Sequence, residues 1–165
     1  MIRYLQRLCA VLIWTSATGT ASANDSEAVQ NDVRSAVSAL YQGDVDTIMR
    51  YSYPPVIAAM GGEDAARAML EAVAGKGQYM ALLALDFPAE PQFLQGNGRD
   101  FVVVPVHVVY RRSNKRGEHY GFQFGIRPAG GARWTYIDGT KITPGVREAM
   151  FADLPADYSL PPTSR

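Results

Sequence analysis

The sequence is poor in the residues that carry redox and metal chemistry. Cys9 is its only cysteine, and it has two histidines, His107 and His119. A single thiol makes no internal disulfide, supplies no cysteine zinc site and excludes a paired-thiol redox centre. An excess of charge of one sign is also missing, since sixteen Lys and Arg balance sixteen Asp and Glu. Nucleic-acid binding calls for a basic face, so this balance argues against nucleic acid as a partner. The apolar run near the start, Leu8 to Trp14, is too short to span a bilayer.

That run belongs instead to a secretory signal. Arg3 and Arg7 form a basic start, Leu8 to Trp14 the apolar segment, and Ala21-Ser22-Ala23 a small-residue cleavage site. Residues 1–23 are expected to be removed after Ala23, giving a periplasmic or secreted protein with no membrane insertion after cleavage. Cys9 leaves with the signal, and the mature chain keeps fourteen basic residues against sixteen acidic ones. Its length suits one domain, expected over residues 24–153, with a proline-rich irregular tail at 154–165.

Within the domain, Val29, Val33, Val37 and Leu40 recur at helical spacing and predict an amphipathic helix over 26–41, stopped by Gly43. Asp44 is placed to cap a second helix carrying Val45, Ile48 and Met49, which breaks at Tyr53 before Pro54-Pro55. A short helical turn follows over 56–60. After Gly61-Gly62 a third helix is expected over 63–74, with Ala66, Met69, Leu70 and Val73 inward and Gly75 as its stop. Strands are then predicted over 78–87 and 92–95, and Gly96-Asn97-Gly98 is a hairpin turn. Late in the chain, Thr143-Pro144 reads as a cap and first position of a closing helix reaching about Phe151.

The segment between these elements, residues 99–138, organises the fold. Phe101 to Arg112 is a valine-rich strand in which Pro105 needs a bulge or an edge position. With Ser113 to Gly117 as a five-residue turn, Arg112 faces Glu118, Val108 faces Phe122, Val106 faces Phe124 and Val104 faces Ile126. Pairing Ile126 with Trp134 then adds Trp134, Tyr136 and Asp138 to that apolar face. Pro105, His107, Val109, Arg111, His119, Gly121, Gln123, Gly125 and Arg127 fall on the opposite, outer face. Helices grouped before an antiparallel meander make the fold class α+β. N-terminal helices in the concave side of a strongly bent antiparallel sheet would give a cone-like α+β barrel.

The order of elements, with Tyr41-Gln42-Gly43-Asp44 joining two helices and Trp134-Thr135-Tyr136-Ile137-Asp138-Gly139 near the end, resembles the nuclear-transport-factor-2-like superfamily. The stretch Tyr51 to Ile57 with Met60-Gly61-Gly62 looks like exported bacterial members of unknown function. The resemblance covers about Ser26 to Phe151 and implies the cone fold. The superfamily holds isomerases, dehydratases, cyclases and epoxide hydrolases beside non-catalytic binding modules, so it does not imply one activity.

Asp138 is the candidate catalytic group, because a carboxylate on an apolar face suits proton transfer. Tyr51, Tyr53, Tyr110 and Tyr136 join it as candidate ligand-binding residues. Asp138 also precedes Gly139 and has an ordinary turn role open to it. His107, Arg111, His119 and Gln123 form a candidate partner surface on the outer face. The histidines have no carboxylate placed beside them, so no metal site is expected, and no motif implies a cofactor. Arg111, Arg112, Lys115 and Arg116 make a basic hairpin tip.

The function expected is an exported module binding a small apolar or amphipathic ligand, or a protein partner, without catalysis. The alternatives are an isomerase- or dehydratase-type enzyme using Asp138 as general acid or base, and an inhibitor- or immunity-type interaction protein using the outer face. That face also predicts a homodimer, since Val103, Pro105 and Val109 accompany its polar groups.

Overall fold

The computed structural model describes residues 23–76, 80–155 and 157–161, so the expected signal segment up to residue 22 lies outside the described residues. Four helices come first: α1 Ala23–Gln42, α2 Val45–Tyr51, α3 Pro54–Ala59 and α4 Glu63–Lys76. Five strands follow: β1 Met80–Asp86, β2 Gln92–Gln95, β3 Arg99–Arg112, β4 Lys115–Pro128 and β5 Thr135–Asp138. A 3-10 turn at Gly139–Lys141 leads to α5, Pro144–Met150. The fold is α+β with a five-stranded antiparallel sheet. The described sheet is open and does not close into a barrel.

Local chemistry explains the helix ends. The Asp44 carboxylate accepts from Thr47 N at the start of α2, and the Thr143 hydroxyl accepts from Val146 N at the start of α5. On α1, Val29, Val33 and Val37 are buried as expected, whereas Leu40 is 53 % exposed. Among the α4 side chains described, only Ala66 is fully buried; Met69 and Val73, expected inward, face outward. That helix packs chiefly on its fellow helices, where a small alanine suffices for close approach. It also runs through Gly75.

β3 is the central strand. β1 and β2 lie end to end along one of its edges, pairing with His107–Arg112 and Asp100–Val103, while β4 takes the other edge. Pro105 sits in the gap between those two short partners, where its missing N–H costs no ladder bond. The bulge lies instead in β1, at the register shift between Leu82 and Ala84, and Leu83 is left 47 % exposed.

The β3–β4 register differs from the one expected, and the difference changes which side chains share a face. The connection is a two-residue turn, Ser113-Asn114, with Ser113 in the left-handed region at φ 54°. Arg112 therefore faces Lys115, Val103 faces Phe124 and Phe101 faces Ile126. An odd-numbered shift exchanges the two faces of a strand. Val102, Val104, Val106 and Val108 pack with α1, Trp134 and Tyr136. Phe101, Val103, Phe122, Phe124 and Ile126 form a second core on the other side. Trp134 and Phe124 thus lie on opposite sides of the sheet, and the single apolar face is corrected to two.

Packing selects this register. Opposite Val102 stands Gly125, where an added Cβ would lie 2.5 Å from Val102 Cγ1 and 2.9 Å from the Tyr136 ring. A larger residue there has no room. The C-terminal segment covers the second face, with Phe151 at 1 % and Leu154 at 4 % exposure. Farther along, Tyr158 and Leu160 also pack on this core.

The two-residue turn sets Arg111 opposite Arg116 and Arg112 opposite Lys115. Directly opposed like charges destabilise a ladder. Arg116→Glu should therefore raise stability by about 0.5–1 kcal/mol, which a urea melt would register as a higher midpoint at unchanged slope.

Candidate functional site

Two recesses open where α2 meets the start of β5. The junction is built by a chain crossing: Ser52 makes a parallel bridge to Tyr136, and Tyr53 N donates to the Tyr136 carbonyl at 3.0 Å. Pro54 then starts α3 and forces the extended backbone that lets the bridge form.

The smaller recess, about 170 Å³, lies between α1, α2 and the sheet. Tyr51, Tyr136 and Asp138 line it, together with Ser52 and Gln123. Ala36, Val37 and Ile48 supply its apolar wall. Asp138 is held in place, with one carboxylate oxygen accepting from both Thr140 N at 2.9 Å and Thr140 Oγ1 at 2.8 Å. It caps the 3-10 turn, so the turn role is realised while the residue still borders the recess. Two of these lining residues share a further partner: Asp32 accepts from Tyr51 Oη and Tyr136 Oη at 3.3 and 3.4 Å. Burial first, and then the Asp32 carboxylate, push the Tyr136 phenol far above its ordinary value. Tyr136 therefore stays a neutral donor.

Asp32 was missed by the sequence reading. It occupies one helix stripe with Ala36 and Leu40, beside the buried stripe of Val29, Val33 and Val37. An acid bordering a core stripe at i, i+4 from recess-lining residues is the signal that was present.

The other expected ligand-binding residues lie elsewhere. Tyr53 is 8 % exposed in the second core, where it packs on Phe151 and its hydroxyl accepts from Arg99. Tyr110 packs against Tyr41, ring centroids 6.4 Å apart.

The expected outer face is divided as well. His119 and Gln123 stand opposite Val108 and Val104 on the helix side, while His107 and Arg111 are on the other. The dimer contact expected there loses Val103 and Val109 to the interior, at 0 % and 4 % exposure. His107 does have carboxylate neighbours: Glu118 at 3.3 Å and Asp86 at 3.8 Å, with Tyr120 stacked on its ring. The register shift brings Glu118 within reach. Among the described residues no cluster of three or more His, Cys, Asp or Glu could hold a metal ion, and no helix is long and apolar enough to cross a membrane.

The larger recess is a cleft of about 640 Å³ on the far side of Ser52. Met49, Pro54, Ile57 and Ala58 give it an apolar wall. Arg50, Arg67, Arg133 and Glu63 give it charge. Arg133 donates to the carbonyl of Arg50 at 2.6 Å, and Arg67 pairs with Asp46 at 2.8 Å.

Compared with protein-family models, curated proteins and solved structures, this chain matches none.

Proposed function

We propose that the protein is an exported, non-catalytic module of the nuclear-transport-factor-2-like type, which takes a small amphipathic ligand into the cleft between α2, α3, α4 and β5. The cleft carries this reading. Its volume of about 640 Å³ falls in the range of about 300–1,000 Å³ usual for small-molecule sites, and it joins an apolar wall to a few polar groups. Its charged groups suit recognition and not proton transfer, since arginine stays protonated and Glu63 is exposed. The α1–α2 pair lying over an antiparallel sheet, and the late strand after Trp134, support the family reading. In it the sheet curves around α1 and α2 as a cone.

A second reading is a small isomerase- or dehydratase-type enzyme. The grouping of Asp138, Tyr51 and Tyr136 around one recess favours it. That recess is close to the size of a cavity of about 150 Å³ that holds benzene, so only a very small substrate would fit. Native mass spectrometry of the purified protein should show a bound small molecule, and an isomerase, dehydratase and hydrolase screen should show no turnover. Robust turnover that Asp138→Asn abolishes would falsify the binding-module reading.

A further inference from the structure

We infer that the cleft selects an amphipathic anion: a molecule with one carboxylate or phosphate-ester head and an unbranched apolar body. This rests on the binding-module reading and adds the class of ligand. Three guanidinium groups border the cleft against one carboxylate, Glu63. Arg67 is already engaged by Asp46 and Arg50 lies in the field of Asp44, but neither Arg50 nor Arg133 forms an ion pair among the described residues. Both side chains border the same cleft, and the Arg133 guanidinium is anchored there by donating to the main-chain carbonyl of Arg50. That bond uses one terminal nitrogen of Arg133 and ties the loop before β5 to the end of α2.

Guanidinium groups bind carboxylate and phosphate oxygens through paired N–H donors. A cationic ligand would be repelled. A neutral one would leave the charges unused, and a small inorganic anion would leave Met49, Pro54, Ile57 and Ala58 uncovered. An anionic head beside Arg50 and Arg133, with its chain against that wall, uses both halves of the cleft.

The test is calorimetric titration of the purified protein with decanoate, decyl phosphate, decanol, decyltrimethylammonium and acetate. Decanoate or decyl phosphate should bind, and the tighter of the two identifies the head group. Arg133→Gln should weaken that binding about tenfold, and the double variant with Arg50→Gln about a hundredfold, while both variants keep the parent's far-UV circular dichroism spectrum and a cooperative melt. Ala58→Trp, which fills the wall from an exposed position, should block binding of either decyl anion.

Equal binding of decanol and decanoate, insensitive to both arginines, would overturn the anion assignment while leaving a binding module. Tight binding of acetate, or anion binding that survives Ala58→Trp, would overturn the amphipathic site. No binding by any decyl compound would overturn the anion site and remove the support of the cleft for a binding module. Preference for decyltrimethylammonium would reverse the sign of the ligand.

Discussion

Phe151→Ala should cost about 3–5 kcal/mol of stability, the range for emptying a fully buried aromatic site. The residue follows α5 and is 1 % exposed. Its ring stands 5.2 Å from Phe124 and 6.3 Å from Phe101, edge to face with both, and 5.7 Å from Tyr53. Alanine would remove one wall of the second core and leave the stacked Phe101–Phe124 pair facing a void. Few contacts could close it, because Phe101 and Phe124 sit on paired β-strands that cannot move independently. Urea denaturation followed at Trp134 would measure the loss. A change below about 1 kcal/mol would mean the C-terminal segment is only loosely applied to the sheet, and the two-core architecture would fail. Exposed Met69, at 46 %, offers the control: Met69→Ala should stay within about 0.5 kcal/mol.

That same segment explains where the sequence was legible and where it was not. Capping and turn chemistry are local, so Asp44, Pro54, Thr143 and the Gly96-Asn97-Gly98 turn marked their element boundaries well. The hydrophobic pattern places a strand's two faces only when one of them is polar. β3 is apolar on both, with Val102, Val103 and Val104 in succession and all fully buried. Its apolar pattern therefore does not fix the parity that was expected from it, and the turn length does. Ser113-Asn114 lacks the glycine usual in a two-residue turn, which made the longer loop attractive. The clue against it lay in β4, where Gly117, Gly121 and Gly125 alternate with Tyr120, Phe122, Phe124 and Ile126. Small residues belong on the face where Tyr110 and Tyr136 crowd the sheet.

The candidate sites were legible in proportion to how local they are. Tyr136 and Asp138 share a face whatever the register of β4, since they are two residues apart on one strand. Tyr51 reaches them because α2 ends at the bridge formed by Ser52. Tyr53, two residues later, falls on the other side of the sheet edge, a consequence of that bridge that no periodicity encodes. The arginine cleft is non-local throughout: Arg50, Arg67 and Arg133 come from a helix end, a second helix and a loop. Nothing in their spacing brings them together; the packing of α4 and of β5 against α2 does so.

Arg99→Met should cost about 2–4 kcal/mol at neutral pH, because it leaves a largely buried carboxylate without its cation. Arg99 opens β3 and clamps the C-terminal segment. Its guanidinium donates to both oxygens of Asp153, to the Met150 carbonyl and to the Tyr53 hydroxyl, and it lies over the Phe101 and Phe151 rings. The side chains are 28 % and 17 % exposed. Hydrogen bonding from Arg99 holds the Asp153 carboxyl below its ordinary value. A depressed carboxyl stabilises the fold above the unfolded value of about 3.9, and this contribution is lost as pH falls through the lower folded value. Asp153→Asn should therefore be less stable than the parent at pH 7. The gap should narrow as acid is added below about pH 4, where the parent protonates Asp153 and the variant has no group to titrate there. Stability measured by urea melts at a series of pH values separates this from simple packing, which would keep the gap constant. A parent and variant that lose stability in parallel down to the acid limit would show that Arg99 holds the segment by its ring and carbonyl contacts, and not through Asp153.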